Sequence, residues 1–239
     1  ADIEKTREKL ARRSYSISSP IFDEYGYLAD ANEMEDIELY IVWVKPYGGH
    51  VPALTPRLAL KNVGDRIYLS PKVAGRYTSR GITDPESPVL FCSTGTGEAP
   101  HNAMVVELLR KGHRGPILSA VSIRYRSDAA YLDEHQRLEE RYGNYTYLPM
   151  PTREPDVPKK YLQDLLEDGT LESALGAPIS PDRTHVFLCG NPAMIGIPEW
   201  QDDSAVFPER TGMAELLHNR GFVLDRRGVS GQVHYEEYW

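Results

Sequence analysis

The chain has 239 residues, 41% of them apolar and 26% charged, long enough to bury a sizeable core and to divide into two smaller domains. A formal charge of −8 argues against a non-specific nucleic-acid binder, and the apolar runs are strand-sized, far short of the roughly 20 residues of a membrane helix. The amino terminus lacks the basic-then-apolar order of a secretory signal, and two cysteines build neither a disulfide framework nor a usual zinc site, so reduced thiols in a cytoplasmic protein are expected.

Up to Ser87 the chain reads as short extended segments broken by turns, with strands predicted over Ser14–Ser18, Ile37–Val44 and Asp65–Leu69. From Pro88 the pattern becomes apolar strand, glycine turn, helix. Strand Pro88–Cys92 leads through Ser93–Gly97 into a helix over Ala99–Leu109 with apolar residues at helical spacing. The unit recurs as strand Ile117–Ile123 with helix Tyr131–Tyr142, and as strand His185–Cys189 with a helix starting near Pro192. A parallel α/β sheet is therefore expected in the second half, with the boundary in the Asp84–Pro88 linker. Pro198–Pro208, polar and aromatic without periodicity, reads as a surface loop, and a helix over Thr211–Asn219 stops at Gly221.

Gly95 and Gly97 lie between a strand and a helix, where glycines let the backbone approach a ligand and helix amides favour an anion. The run Thr94-Gly95-Thr96-Gly97-Glu98-Ala99-Pro100 is neither a Walker sequence nor a full Gly-x-Gly-x-x-Gly, and a plain strand-to-helix turn remains open. In Arg13-Ser14-Tyr15-Ser16, Arg13 and Tyr15 would share one face of a strand; a guanidinium fork suits a pyrophosphate and a tyrosine face suits an isoalloxazine ring.

Taken in order, these motifs resemble the ferredoxin–NADP reductase family. Arg13-Ser14-Tyr15-Ser16 is similar to its Arg-x-Tyr-Ser flavin motif, Gly95 to Pro100 to its nicotinamide motif, Cys189-Gly190-Asn191-Pro192 to its Cys-Gly segment, and Tyr235 to Trp239 to the aromatic terminus of the bacterial type. The resemblance implies a β plus α/β protein. An antiparallel FAD-binding barrel would occupy residues 1–86, and a parallel NADP-binding domain residues 87–239, with a carboxyl-terminal tail returning to the FAD. Only 12 residues precede Arg13, so the implied barrel lacks its first strands.

By the same resemblance, Arg13 binds the FAD pyrophosphate, Tyr15 packs on the flavin and Ser16 bonds its N5, with Ser14 between them. Tyr40, Ile41 and Val42 look like a second flavin-contacting strand. Leu54 and Thr55 stand where a helix amino terminus receives the FAD phosphates, although Thr55 before Pro56 also reads as an ordinary N-cap. For NADP, Arg124 and Arg153 resemble the 2′-phosphate site; Arg126 reads better as a solvated cation, and Lys159 and Lys160 could supplement. Cys189 is either a buried strand thiol or the neighbour of the nicotinamide. Glu236 is a candidate proton conduit beside a solvated-tail reading, and Tyr238 and Trp239 would cover the FAD. No metal site is expected.

The implied function is electron transfer between NADP(H) and ferredoxin or flavodoxin, by hydride transfer to flavin N5 and one-electron steps, in a monomer. A flavin or oxygenase reductase component is an alternative; the missing iron–sulfur cysteines argue against a fused oxygenase reductase. A non-catalytic nucleotide-binding redox module is the third.

Overall fold

The computed structural model describes residues 13–43, 52–202 and 204–238. Five strands, β1 (Val89–Thr94), β2 (Ile117–Ile123), β3 (Tyr145–Pro151), β4 (His185–Gly190) and β7 (Val233–Glu237), form one parallel sheet in the order β3-β2-β1-β4-β7. Helices cover both faces, which is why β1, β2 and β4 are nearly continuous apolar runs rather than alternating ones. Leu90 and Cys92 of β1 enter a core with helices α4 (Leu162–Glu167), α5 (Thr170–Leu175), α6 (Pro192–Ile195) and α7 (Met213–Asn219). Val89 and Phe91 enter the opposite core, against α2 (Glu98–Arg110) and α3 (Leu132–Arg141).

Three expectations need correction. Before Val89 the described residues hold no strand, only isolated bridges pairing Ser18 with Glu38 and Phe22 with Leu28, the short helix α1 (Thr55–Ala59) and a 3-10 turn over Ser79–Gly81. Ser14–Ser18, Ile37–Trp43 and Asp65–Leu69 are thus not strands in the structure, while Val44 lies outside the described residues. Residues 65–69 have no ladder partner there, and Ile67 and Tyr68 are solvent-exposed, so neither burial nor pairing selects an extended ladder.

Second, Pro198–Pro208 is not irregular throughout. Its strands β5 (Glu199–Gln201) and β6 (Ser204–Val206) pair antiparallel, too short to show a periodic pattern. Third, the segment expected as a tail returning to the FAD is regular where it begins: Val233–Glu237 is the edge strand beside β4. Its core-facing Val233 is fully buried, while His234, Tyr235 and Glu236 are half-buried.

Residues 17–30 lie on the α/β half. Ile21 is buried in the core beneath α2 and α3, and the Phe22 ring sits under the guanidinium groups of Arg137 and Arg141 at 4.2 and 4.8 Å. Arg110 bonds the Leu28 carbonyl at 2.9 Å and the Asp30 carboxylate.

Candidate functional site

The strand order reverses direction between β1 and β4, the position at which doubly wound sheets open a crevice beyond the carboxyl ends of their strands. Thr94 ends β1 and Gly190 ends β4, so the two glycine motifs meet there. The Asn191 amide donates to Thr94 Oγ1 at 2.7 Å and the Tyr238 amide to the Gly190 carbonyl at 2.9 Å. Gly190 has φ +118°, and a side chain there would collide with Thr94. Gly97 packs against the Cys189 carbonyl so closely that a Cβ would overlap backbone. Gly95, at φ +51°, faces open space, and α2 begins three residues later with Pro100 buried in its first turn. Thr96 lies between the two glycines; Pro192 opens α6, where Asn191 accepts the Ala193 amide at 2.8 Å.

A glycine cradle at a helix start is the geometry a pyrophosphate requires. Arg124 and Arg153 stand beside it: β2 and β3 end in register, and the Arg153 amide donates to the Arg124 carbonyl at 2.9 Å. Both side chains are exposed. Arg126 differs, forming a two-pronged pair with Asp156 at 3.1 and 3.0 Å. Lys160 pairs with Asp168 at 2.7 Å and Lys159 lies 5.2 Å from the centre of the Tyr161 ring.

On the other side of the crevice, Ser16 Oγ donates to Glu236 Oε2 at 2.9 Å, across 220 positions of sequence. The Tyr238 hydroxyl lies beside Ser16 and Cys189, buried and without a completed hydrogen bond. Burial pushes the Cys189 thiol up to about 12, so it is a thiol and not a thiolate at neutral pH. The structure thereby brings Ser16, Cys189, Glu236 and Tyr238 together. Arg13, Ser14 and Tyr15 lead into the cluster; Tyr15 is half-buried, and burial raises its hydroxyl.

Tyr40 and Ile41 are half-buried and Val42 is 49% exposed; burial pushes the Tyr40 hydroxyl up to about 12, reinforced by Glu98 and Asp128. Thr55 is not an N-cap: Leu54 holds that position without a side-chain bond, and Thr55 Oγ1 is buried without a partner. Trp239 lies outside the described residues. Among the described residues no group of three or more His, Cys, Asp or Glu is arranged to hold a metal, and no helix is long and apolar enough to cross a membrane.

Two buried polar groups escaped the sequence reading. The Tyr77 ring meets Phe187 edge-on at 5.8 Å and its hydroxyl bonds His101 Nε2 at 2.7 Å; burial first, with Cys189 and Glu236 adding, raises that hydroxyl well above its ordinary value. Glu98, 1% exposed, accepts from Tyr147 at 2.8 Å and lies 3.0 Å from His135 Nε2, whose Nδ1 is 2.8 Å from the Tyr145 hydroxyl. The available signal was a glutamate and a histidine three residues apart on an otherwise apolar helix start.

Burial pushes His101 down to about 3. An unfolded histidine takes up a proton near pH 6.5, so between about 6.5 and 3 only the unfolded chain is protonated there, and stability falls as pH falls. The expected contribution is at most ~1.4 kcal/mol per pH unit. Urea unfolding between pH 6.5 and 5 checks this: His101→Phe should flatten the pH slope by about one proton, whereas an unchanged slope would leave His101 protonated in the fold.

A family profile described as an oxidoreductase NAD-binding domain matches residues 91–199. The flavodoxin/ferredoxin–NADP reductase of Shigella flexneri is 33% identical over 175 residues, covering 72% of this chain and 67% of that protein. The Escherichia coli protein of the same name is 32% identical over the same length. Among solved structures, a ferredoxin NADP+ reductase from Neisseria gonorrhoeae with bound FAD and NADP aligns at TM-score 0.72 and 20% identity, covering 94% of this chain and 79% of that one.

Proposed function

The chain belongs to the ferredoxin–NADP reductase family, and from that membership we infer that it is an FAD-dependent oxidoreductase moving electrons between NADP(H) and ferredoxin or flavodoxin. The observation that carries this reading in the chain itself is the convergence of Ser16, Glu236, Cys189 and Tyr238 on one crevice, with Ser16 bonded to Glu236 at 2.9 Å. Residues 1–86 belong on this reading to the FAD-binding part, whose described residues form no barrel strands, and residues 87–239 to the NADP-binding domain, in a cytoplasmic monomer.

Bound FAD supplies the exchange between the paired electrons of a nicotinamide and the single electrons of an iron–sulfur or flavin carrier. The residues present fit both cofactors. The open face at Gly95 and the start of α2 fit a pyrophosphate, and the exposed Arg124 and Arg153 offer paired cations to a 2′-phosphate. The orphaned Tyr238 hydroxyl and the Ser16–Glu236 pair fit the polar edge of a flavin.

In this arrangement Ser16 orients Glu236. Half-buried, Glu236 exchanges protons between Ser16 Oγ and solvent. Cys189, kept as a neutral thiol, fills the floor of the crevice and excludes water without adding charge. Arg13 would hold the FAD pyrophosphate while Ser14 and Tyr15 would line its approach; Leu54 and Thr55 would receive its phosphates and Tyr40, Ile41 and Val42 would contact the flavin, with Trp239, outside the described residues, expected to cover the FAD.

Flavin titration tests the reading. The chain is expected to bind FAD with an ordered flavin absorption spectrum. A charge-assisted hydrogen bond contributes roughly 1.5–3 kcal/mol, so Arg13→Ala should weaken FAD by about 10- to 150-fold. Full flavin occupancy of the variant at dilute concentration would remove Arg13 from the site.

A further inference from the structure

Tyr40 touches more than its own segment. Its hydroxyl donates to the Asp128 carbonyl at 3.2 Å, in the loop that begins at Arg124 and leads to α3. Its ring meets Tyr131 edge-on, with centroids 5.4 Å apart. The Tyr131 hydroxyl in turn donates to Glu38 Oε1 at 2.6 Å and lies 3.3 Å from Ser18 Oγ, while Ser18 and Glu38 are joined by backbone at 3.0 Å. Burial and the Glu38 carboxylate raise the Tyr131 hydroxyl, keeping it a donor at working pH.

From Tyr131 the connection continues into the α/β core. The Tyr131 carbonyl accepts the His135 amide at 2.9 Å, His135 stacks on Tyr147 at 4.0 Å, and Glu98 ties both to the first turn of α2, directly after the glycine turn. One contiguous set of hydrogen bonds and ring contacts therefore runs from Tyr40 to the loop of Arg124, through an exposed bond to Asp128, and to the glycine cradle, through the buried Glu98 and His135. Each of its members is fixed by at least one partner from another segment, so the loop after β2 is not set independently of the segment carrying Tyr40.

We propose that Tyr131 is a positioning residue that couples the two cofactor sites, so that FAD seated against Tyr40 raises the affinity for the 2′-phosphorylated coenzyme at Arg124 and Arg153. The inference rests on the cofactor assignment above. Ordering Tyr40 by stacking orders the Asp128 carbonyl and hence the Arg124 loop, and the second ligand then meets a loop already held in place. Linkage requires the reverse as well: NADP+ must raise FAD affinity by the same factor.

The test measures NADP+ affinity calorimetrically on the flavin-free and the FAD-loaded chain, for wild type, Tyr131→Phe and Glu38→Gln. Wild type should bind NADP+ about 5-fold or more tightly when FAD is bound, within the usual span of such couplings. Tyr131→Phe keeps the ring contact but loses the hydroxyl anchor, and should bring the ratio toward one. Glu38→Gln retains an acceptor for Tyr131 and should preserve most of it. Equal NADP+ affinity with and without FAD in wild type, or undiminished coupling in Tyr131→Phe, overturns the proposal while leaving the cofactor assignment intact. Failure of wild type to bind FAD overturns both.

Discussion

Replacing Arg124 and Arg153 together by alanine is expected to erase the preference for NADPH over NADH. The two residues follow the adjacent carboxyl ends of β2 and β3, joined by the backbone bond from Arg153 to Arg124 at 2.9 Å, and both are exposed. A 2′-phosphate between them would accept charge-assisted hydrogen bonds that NADH cannot make. At roughly 1.5–3 kcal/mol each, the pair contributes about 3–6 kcal/mol, or about 10²- to 10⁴-fold in selectivity. The loss should appear in KM for NADPH, with kcat changed little, because these groups act far from the reacting atoms. Arg126→Ala should matter much less, since its guanidinium is already committed to Asp156. Equal efficiency of the wild type with both coenzymes would contradict the assignment.

Gly97→Ala is the second large effect. The added Cβ would overlap the Cys189 carbonyl, and all the atoms it meets are backbone of Cys189 and Gly190, with no flexible side chain to move aside. Overpacking of this kind costs about 1–3 kcal/mol, and the collision with a central strand puts this position at or above the upper end. Relief requires β4 and the glycine turn to separate, which would also displace Cys189 and Gly190. Urea unfolding should therefore show a lowered midpoint together with weakened NADP+ binding. Unchanged stability would mean that the two motifs do not pack as closely as described.

The strands β1, β2 and β4 are legible in the sequence because burial on both faces makes each a near-continuous apolar run. The edge strand β7 is not, because in Val233-His234-Tyr235-Glu236-Glu237 only Val233 is fully buried and two residues are carboxylates, and such a string resembles a solvated tail until a neighbouring strand is known. The strands predicted before residue 87 rest on local pattern between turns; with pairing limited to isolated bridges such as Ser18 with Glu38, local pattern does not make a strand.

Contacts around the crevice follow the same division. Gly97 and Gly190 stand in ordered motifs that single them out, since the close backbone approach seen at both admits only glycine. That Glu236 reaches Ser16 is a tertiary fact across 220 positions, and no local pattern encodes it. Tyr77, His101, Tyr131 and Glu98 remained hidden because a buried polar group is recognisable only once its hydrogen-bond partners are known.

The central claim is tested most directly by NADPH-driven reduction of an acceptor by the FAD-loaded chain, first with ferricyanide and then with flavodoxin or ferredoxin under anaerobic conditions. The account predicts FAD-dependent, saturable reduction of both acceptors, with NADPH strongly preferred to NADH. Reduction of ferricyanide or free flavin alone would point to a flavin or oxygenase reductase component. Tight binding of both cofactors with no electron transfer to any acceptor would contradict the assignment and leave a nucleotide-binding redox module in its place.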